Sequence, residues 1–163
     1  MPLPLQNIRI LDLSRILAGP FAAQLLADLG AEVTKIEPPD GDPTRGWGPP
    51  FEEGETGESA YFRCANRGKV SRVLDLQSAE GRAALGALVK AADVVLENFL
   101  PDSAERLGLT WERLHRDHPR LILASIRGFA SDVTASRRPG YDFIIQAESG
   151  WKSITGEPEG RPI

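Results

Sequence analysis

The chain has 163 residues, 41% hydrophobic and 26% charged, with a formal net charge of −4. That suffices for one globular domain with its own core. The acidic balance argues against nucleic acid as a partner, and no apolar run is long enough to cross a bilayer, so no membrane partner is expected either.

The first residues, Met1-Pro2-Leu3-Pro4-Leu5-Gln6, lack the basic end and long apolar stretch of a signal peptide, so a cytoplasmic location is expected. Ile8 to Leu13 is short and rich in branched aliphatics, which predicts a strand. Gly19-Pro20 opens a helix with proline in its first turn, and Phe21, Leu25, Leu26 and Leu29 supply its apolar face. Gly30 suits the cap, and Ala31 to Glu37 predicts a second strand. Strand, helix and strand with short links form a βαβ unit, hence a parallel pair.

Pro38 to Ser59 holds Pro38, Pro39, Pro43, Pro49 and Pro50 among glycines and carboxylates, and reads as a long surface loop. A short helical turn follows at Ala60 to Phe62, then a basic loop, Asn66-Arg67-Gly68-Lys69, and a strand over Val70 to Leu76. Ser78 caps a helix whose buried face is Gly81, Leu85, Leu88, Val89 and Ala92. Val94 to Phe99 predicts a buried strand, Pro101 to Leu107 a short helix ended by Gly108, and Thr110 the cap of another helix from Trp111 to His115. Leu121 to Ile126 is a further strand, Gly128 to Pro139 a loop, Tyr141 to Glu148 a helix, and Gly156 to Ile163 a loop. The alternation predicts a doubly wound α/β fold with a mainly parallel, Rossmann-like sheet over 1–163 and ligands at the carboxyl ends of the strands.

The first βα turn, Asp12 to Pro20, lacks the GxGxxG run of a dinucleotide enzyme, although Glu37 stands where an acid would hold a ribose. Ala18 and Gly19 still allow close backbone approach, and the helix start offers its dipole to an anion. Arg15, Arg67, Lys69 and Arg106 lie at predicted strand ends and loops, where a ligand with several phosphates needs donors. His115 and His118 have no third metal ligand nearby and read as a solvated helix end, so no metal is expected. Cys64, the only cysteine, reads as a small buried residue without a histidine partner. No residue has a convincing nucleophile setting, and no catalytic residue is assigned.

Ten strings taken together resemble the class III CoA-transferase (CaiB/BaiF) family. They begin with Ile10-Leu11-Asp12-Leu13-Ser14, Leu17-Ala18-Gly19-Pro20 and Leu26 to Val33. They continue through Lys35-Ile36-Glu37, Thr44-Arg45-Gly46-Trp47, Asn66-Arg67-Gly68-Lys69 and Leu74-Asp75-Leu76. Glu97-Asn98-Phe99, Arg138 to Asp142 and Thr155-Gly156-Glu157-Pro158 complete the set. No single string is diagnostic; in order along the chain they are specific.

The resemblance implies an N-terminal, coenzyme A-binding α/β domain, with acyl-CoA and a carboxylate acceptor as substrates and an interlocked homodimer as the assembly. It implies CoA contacts at Leu17 and Ala18, an adenine border at Leu74 and Asp75, pantetheine beside Asn98 and Phe99, a phosphate arginine at Arg106, and Tyr141 near the thiol. Pro38 and Gln77 stand where some members have a basic CoA contact, and Arg67 or Lys69 is expected to replace them. Family members are longer, and their catalytic aspartate is expected just beyond Ile163, which would leave this chain alone inactive. The alternatives are a non-catalytic CoA-binding fragment or truncated paralogue, and an α-methylacyl-CoA racemase-like isomerase. Tyr141-Asp142 replaces the racemase branch's His-Asp pair and favours the transferase.

Overall fold

Five short segments rich in Val, Ile and Leu pair side by side, all parallel, in the order β3-β2-β1-β4-β5. They are β1 (Arg9–Asp12), β2 (Glu32–Glu37), β3 (Lys69–Val73), β4 (Val94–Glu97) and β5 (Ile122–Ser125). The structure, a computed structural model, describes residues 2–52, 57–130 and 137–161. Parallel neighbours need crossovers, and helices supply them. These are α1 (Ala18–Asp28), α2 (Ala60–Asn66), α3 (Ala79–Ala91), α4 (Pro101–Arg106) and α5 (Trp111–Asp117). After β3 the order jumps across the sheet to β4, beside β1. That reversal makes the β1–β4 crevice the topological switch point.

The period-two alternation of the strands sends side chains to two cores. Leu11, Leu13, Ile36 and Val95 pack with Leu85 and Val89 of α3 and Leu114 of α5 on one face. Ile10 and Val33 meet Ala23 of α1 on the other. Asp12, Lys35 and Glu37 share that second face with Val33 and are fully buried, so this side is part apolar and part ionic.

The chain divides into two compact units, Met1–Phe99 with Ser103–Ile126, and Leu100–Asp102 with Arg127–Ile163. The second holds α6 (Asp142–Glu148) and a 3-10 turn, Trp151–Ser153. Gly128 and Gly140 touch there so closely that a Cβ on either would fall within about 2.5 Å of the other's Cα. Residues 131–136 of the expected Gly128 to Pro139 loop, and the end of the last loop, lie outside the described residues.

The strand and helix order matches expectation, with five corrections. Phe21, Leu25 and Leu29 are exposed, and α1 instead buries Gly19, Pro20, Ala23 and Gln24. The small residues let the helix sit close on the sheet, where a large apolar face would hold it away. Pro38 to Ser59 is not surface loop throughout. Asp42, Thr44 and Ser59 are buried around a 3-10 turn, Pro43–Gly46, because the Asp42 carboxylate caps Thr44 N–H and the Ser59 hydroxyl donates to the Thr44 carbonyl. Ser59 also caps α2 through Phe62 N–H, which extends that helix beyond the single turn expected. Cys64 lies on the outer side of α2 and is exposed, and the Thr110 side chain makes no capping bond.

Candidate functional site

A cavity of ≈ 320 Å³ opens above the carboxyl ends of β1, β2 and β3. Leu13, Ile36, Leu74 and Phe99 form apolar wall, while Arg15, Asp40, Asp75 and Gln77 bring polar groups to it. The strand order sets its polarity. Arg15 and Phe99 follow β1 and β4; Asp40, Asp75 and Gln77 follow β2 and β3. The cation therefore stands at one end and the carboxylates at the other.

The β1–α1 turn is held by named contacts. The Asp12 carboxylate accepts from the Ser14 backbone N–H at 3.0 Å and from the Ser14 hydroxyl. The Ser14 carbonyl accepts from Lys35 Nζ at 2.9 Å. Asn98, after β4, donates to the Arg15 carbonyl at 2.9 Å and accepts from the Arg15 N–H at 3.0 Å, so one side-chain amide closes both backbone groups of Arg15. Ile16 then takes φ 71°, a left-handed conformation that a β-branched residue adopts only when its surroundings impose it. A Cβ on Gly19 would meet Ser14 Cβ at 2.2 Å, so glycine is required for the helix start to reach the turn. No side chain caps α1 and no acid lies in its first turn, which leaves its positive end available to an anion.

Beneath the turn lies an ionic layer. Lys69 Nζ is 2.8 Å from Asp12 Oδ2 and donates also to the Pro20 carbonyl and Asn66 Oδ1. Lys35 Nζ is 2.9 Å from Asp42 Oδ2. Glu37 accepts from Arg45 at 2.7 Å, from the Ser71 hydroxyl and from Asp42 N–H, and the Arg45 guanidinium stacks 3.9 Å from the Phe62 ring. Burial pushes the Glu37 carboxyl up, but Arg45, Ser71 and the Asp42 N–H together outweigh it and hold the group down at about 2.

The sign of the consequence follows from linkage. A carboxylate held below its ordinary 4.5 adds stability that is fully present above that pH and is lost as pH falls through about 2. Stability measured by denaturant titration should therefore decline across this window. In an Arg45→Met variant the decline should be smaller, because without the principal opposing cation the folded-state value moves back toward the ordinary 4.5. An unchanged profile would remove Glu37 from the account.

Of the expected contact residues, Arg15, Leu74, Asp75 and Phe99 line the cavity. Leu17 and Ala18 form the start of α1. Asn98 faces the turn, with both amide groups spent on Arg15. Arg106 donates to Ser103 within α4 and stands outside the lining. Tyr141 precedes α6 in the second unit and is exposed.

The expected replacements for the basic contacts stand outside this cavity's lining. Lys69 is buried and divides its donors among three protein acceptors, while Arg67 is paired with Asp28 at 2.6 Å. Glu37, read as a possible ribose acid, is instead enclosed by Arg45, Ser71 and Asp42. Asp40 and Pro39 were not foreseen as lining. Their signal was position alone, a few residues past the end of β2.

Residues 5–163 match the model of CoA-transferase family III. The chain belongs to that family. A family III relative, succinate–glutarate CoA-transferase of Agrobacterium fabrum, is 50% identical over 98% of this chain and 41% of its own length. Succinyl-CoA:glutarate CoA-transferase of Mus musculus is 44% identical over 98% of this chain and 36% of its own. A crystal structure of a CaiB/BaiF family protein from Brucella suis superposes with TM-score 0.92 at 45% identity, covering 100% of this chain and 43% of that one. The chain thus spans less than half the length of these family III proteins. Among the described residues no helix is long and apolar enough to cross a membrane, and no cluster of metal-binding side chains occurs.

Proposed function

We propose that this chain is the CoA-binding portion of an enzyme that moves CoA from an acyl-CoA thioester to a carboxylic acid, with a dicarboxylate as acceptor. The observation that carries the reading is the family match along 5–163, joined to relatives named for succinate and glutarate. The cavity supports it. An extended ligand with a diphosphate in its middle would set those anions against Arg15 and the uncapped start of α1, where fixed dipoles favour negative charge. Its adenosine end would then run toward Leu74 and Asp75, and its pantetheine arm past Phe99. Apolar walls at Leu13, Ile36 and Leu74 suit a base ring. We assign no nucleophile within this chain. The family's aspartate is expected beyond Ile163, where a carboxylate attacking the thioester would divide one acyl transfer into easier steps. Residues 5–163 alone are expected to bind without turnover, and the complete enzyme to be a homodimer.

The complete enzyme carrying this sequence, given succinyl-CoA and glutarate, is expected to form glutaryl-CoA, followed by chromatography of the CoA esters. No exchange of CoA with any of a panel of dicarboxylates, by protein shown to be folded, would overturn the reading.

A further inference from the structure

Arg15 follows β1 at a point where the ladder no longer holds the chain. Among the described residues neither its N–H nor its carbonyl meets a backbone partner. The Asn98 side chain serves both, accepting from the Arg15 N–H at 3.0 Å and donating to the Arg15 carbonyl at 2.9 Å. The amide thus stands in for a peptide of the neighbouring strand. Asparagine suits this task because it carries donor and acceptor together at that length; aspartate lacks the donor, and glutamine is one carbon longer.

The chain on either side of Arg15 is fixed as well. Ser14 N–H donates to the Asp12 carboxylate, and Ile16 keeps a left-handed backbone at φ 71°, which a β-branched residue holds only where its surroundings impose it. On the cavity side the Arg15 guanidinium stands 5.8 Å from the centroid of the Phe99 ring, within reach of cation–π attraction. Phe99 is held in turn by its N–H, which donates at 2.8 Å to the buried Glu97 carboxylate. The short segment Glu97-Asn98-Phe99 therefore sets both the place of the Arg15 backbone and the surface on which its guanidinium rests.

We propose that Asn98 is a positioning residue, which adds to CoA affinity by holding Arg15 against the diphosphate and not through a contact of its own amide with the ligand. The proposal rests on the CoA reading above.

The test is a double-mutant cycle on the complete enzyme, with the Kd for CoA read by titration calorimetry at several salt concentrations. Asn98→Ala and Arg15→Met should each weaken CoA binding by roughly tenfold, the scale of a hydrogen bond to a charged group. The double variant should bind no more weakly than Arg15→Met alone. The salt dependence of Kd should flatten in Asn98→Ala as it does in Arg15→Met, a change that a merely structural residue would not produce. Where Asn98→Ala does not fold, Asn98→Ser carries the same expectations, since it keeps one hydrogen-bonding group but cannot close both. Effects that multiply in the double variant, or an Asn98 variant with wild-type affinity and salt dependence, would overturn the inference and leave the CoA reading standing. Unchanged affinity in Arg15→Met would overturn the diphosphate contact at Arg15 and the inference with it. A folded wild-type enzyme that binds no CoA would overturn the CoA reading itself.

Discussion

Lys35→Met is expected to lower the stability of the fold by about 3–5 kcal/mol, the usual cost of removing one partner of a buried ion pair. Lys35 and Asp42 both have side chains only 1% exposed, 2.9 Å apart. Asp42 Oδ1 is satisfied by Thr44, but Asp42 Oδ2 has no other compensating neighbour among the described residues than this ammonium. Methionine fills similar volume, so the loss is one of charge and hydrogen bonding rather than packing. The carbonyl of Ser14 loses its donor as well. Adding Asp42→Asn to the variant should recover part of the loss, because the amide keeps the Thr44 contacts and carries no charge. Urea unfolding of the two single variants and the double variant checks this, and purely additive effects would contradict a direct ion pair.

Asp12→Ala should cost a similar amount, about 3–5 kcal/mol, for the converse reason. It strands Lys69, whose side chain is 2% exposed, and takes the acceptor from Ser14 N–H. Burial pushes the Lys69 ammonium down, and Asp12 is the main influence opposing that push. Without it the pKa falls further below its ordinary 10.5, so the folded state releases a proton that the unfolded chain keeps. Under linkage the variant's stability then rises with pH across the interval up to 10.5, and its deficit against wild type should narrow there. A deficit that stays constant from neutral pH to that value would mean that Lys69 is not the stranded charge. Because the β1–α1 turn hangs from Asp12, affinity for CoA should fall as well, measured on the folded fraction.

The succession of strands and helices was legible in the sequence chiefly because the central strands β1, β2 and β4 are buried on both faces. Val94-Val95-Leu96 and Ile8-Arg9-Ile10-Leu11 could be read without a partner in view. The orientation of α1 was not. A count of large apolar residues selects Phe21, Leu25 and Leu29, while close approach to the sheet selects Gly19, Ala23 and Ala27. Strand order alone pointed to the first turn as a ligand position, and the family resemblance to the loop after β3. The fate of individual charges was not. Lys69 and Asp12 are 57 positions apart, and nothing local distinguishes a lysine that will be buried from one that will meet a phosphate. Asp40 escaped notice for the same reason, since only the folded Pro38-Pro39 corner brings it to the rim.

Asn98 gives the sheet a rivet. It joins the ends of β1 and β4 at the one place where an α/β crevice would otherwise gape, and it does so through both amide groups at once. A ligand lying across this seam can rest on it but cannot wedge it apart. On the far bank the segment after β2 is tied to the same turn more indirectly, through Lys35, whose ammonium holds both the Ser14 carbonyl and the Asp42 carboxylate.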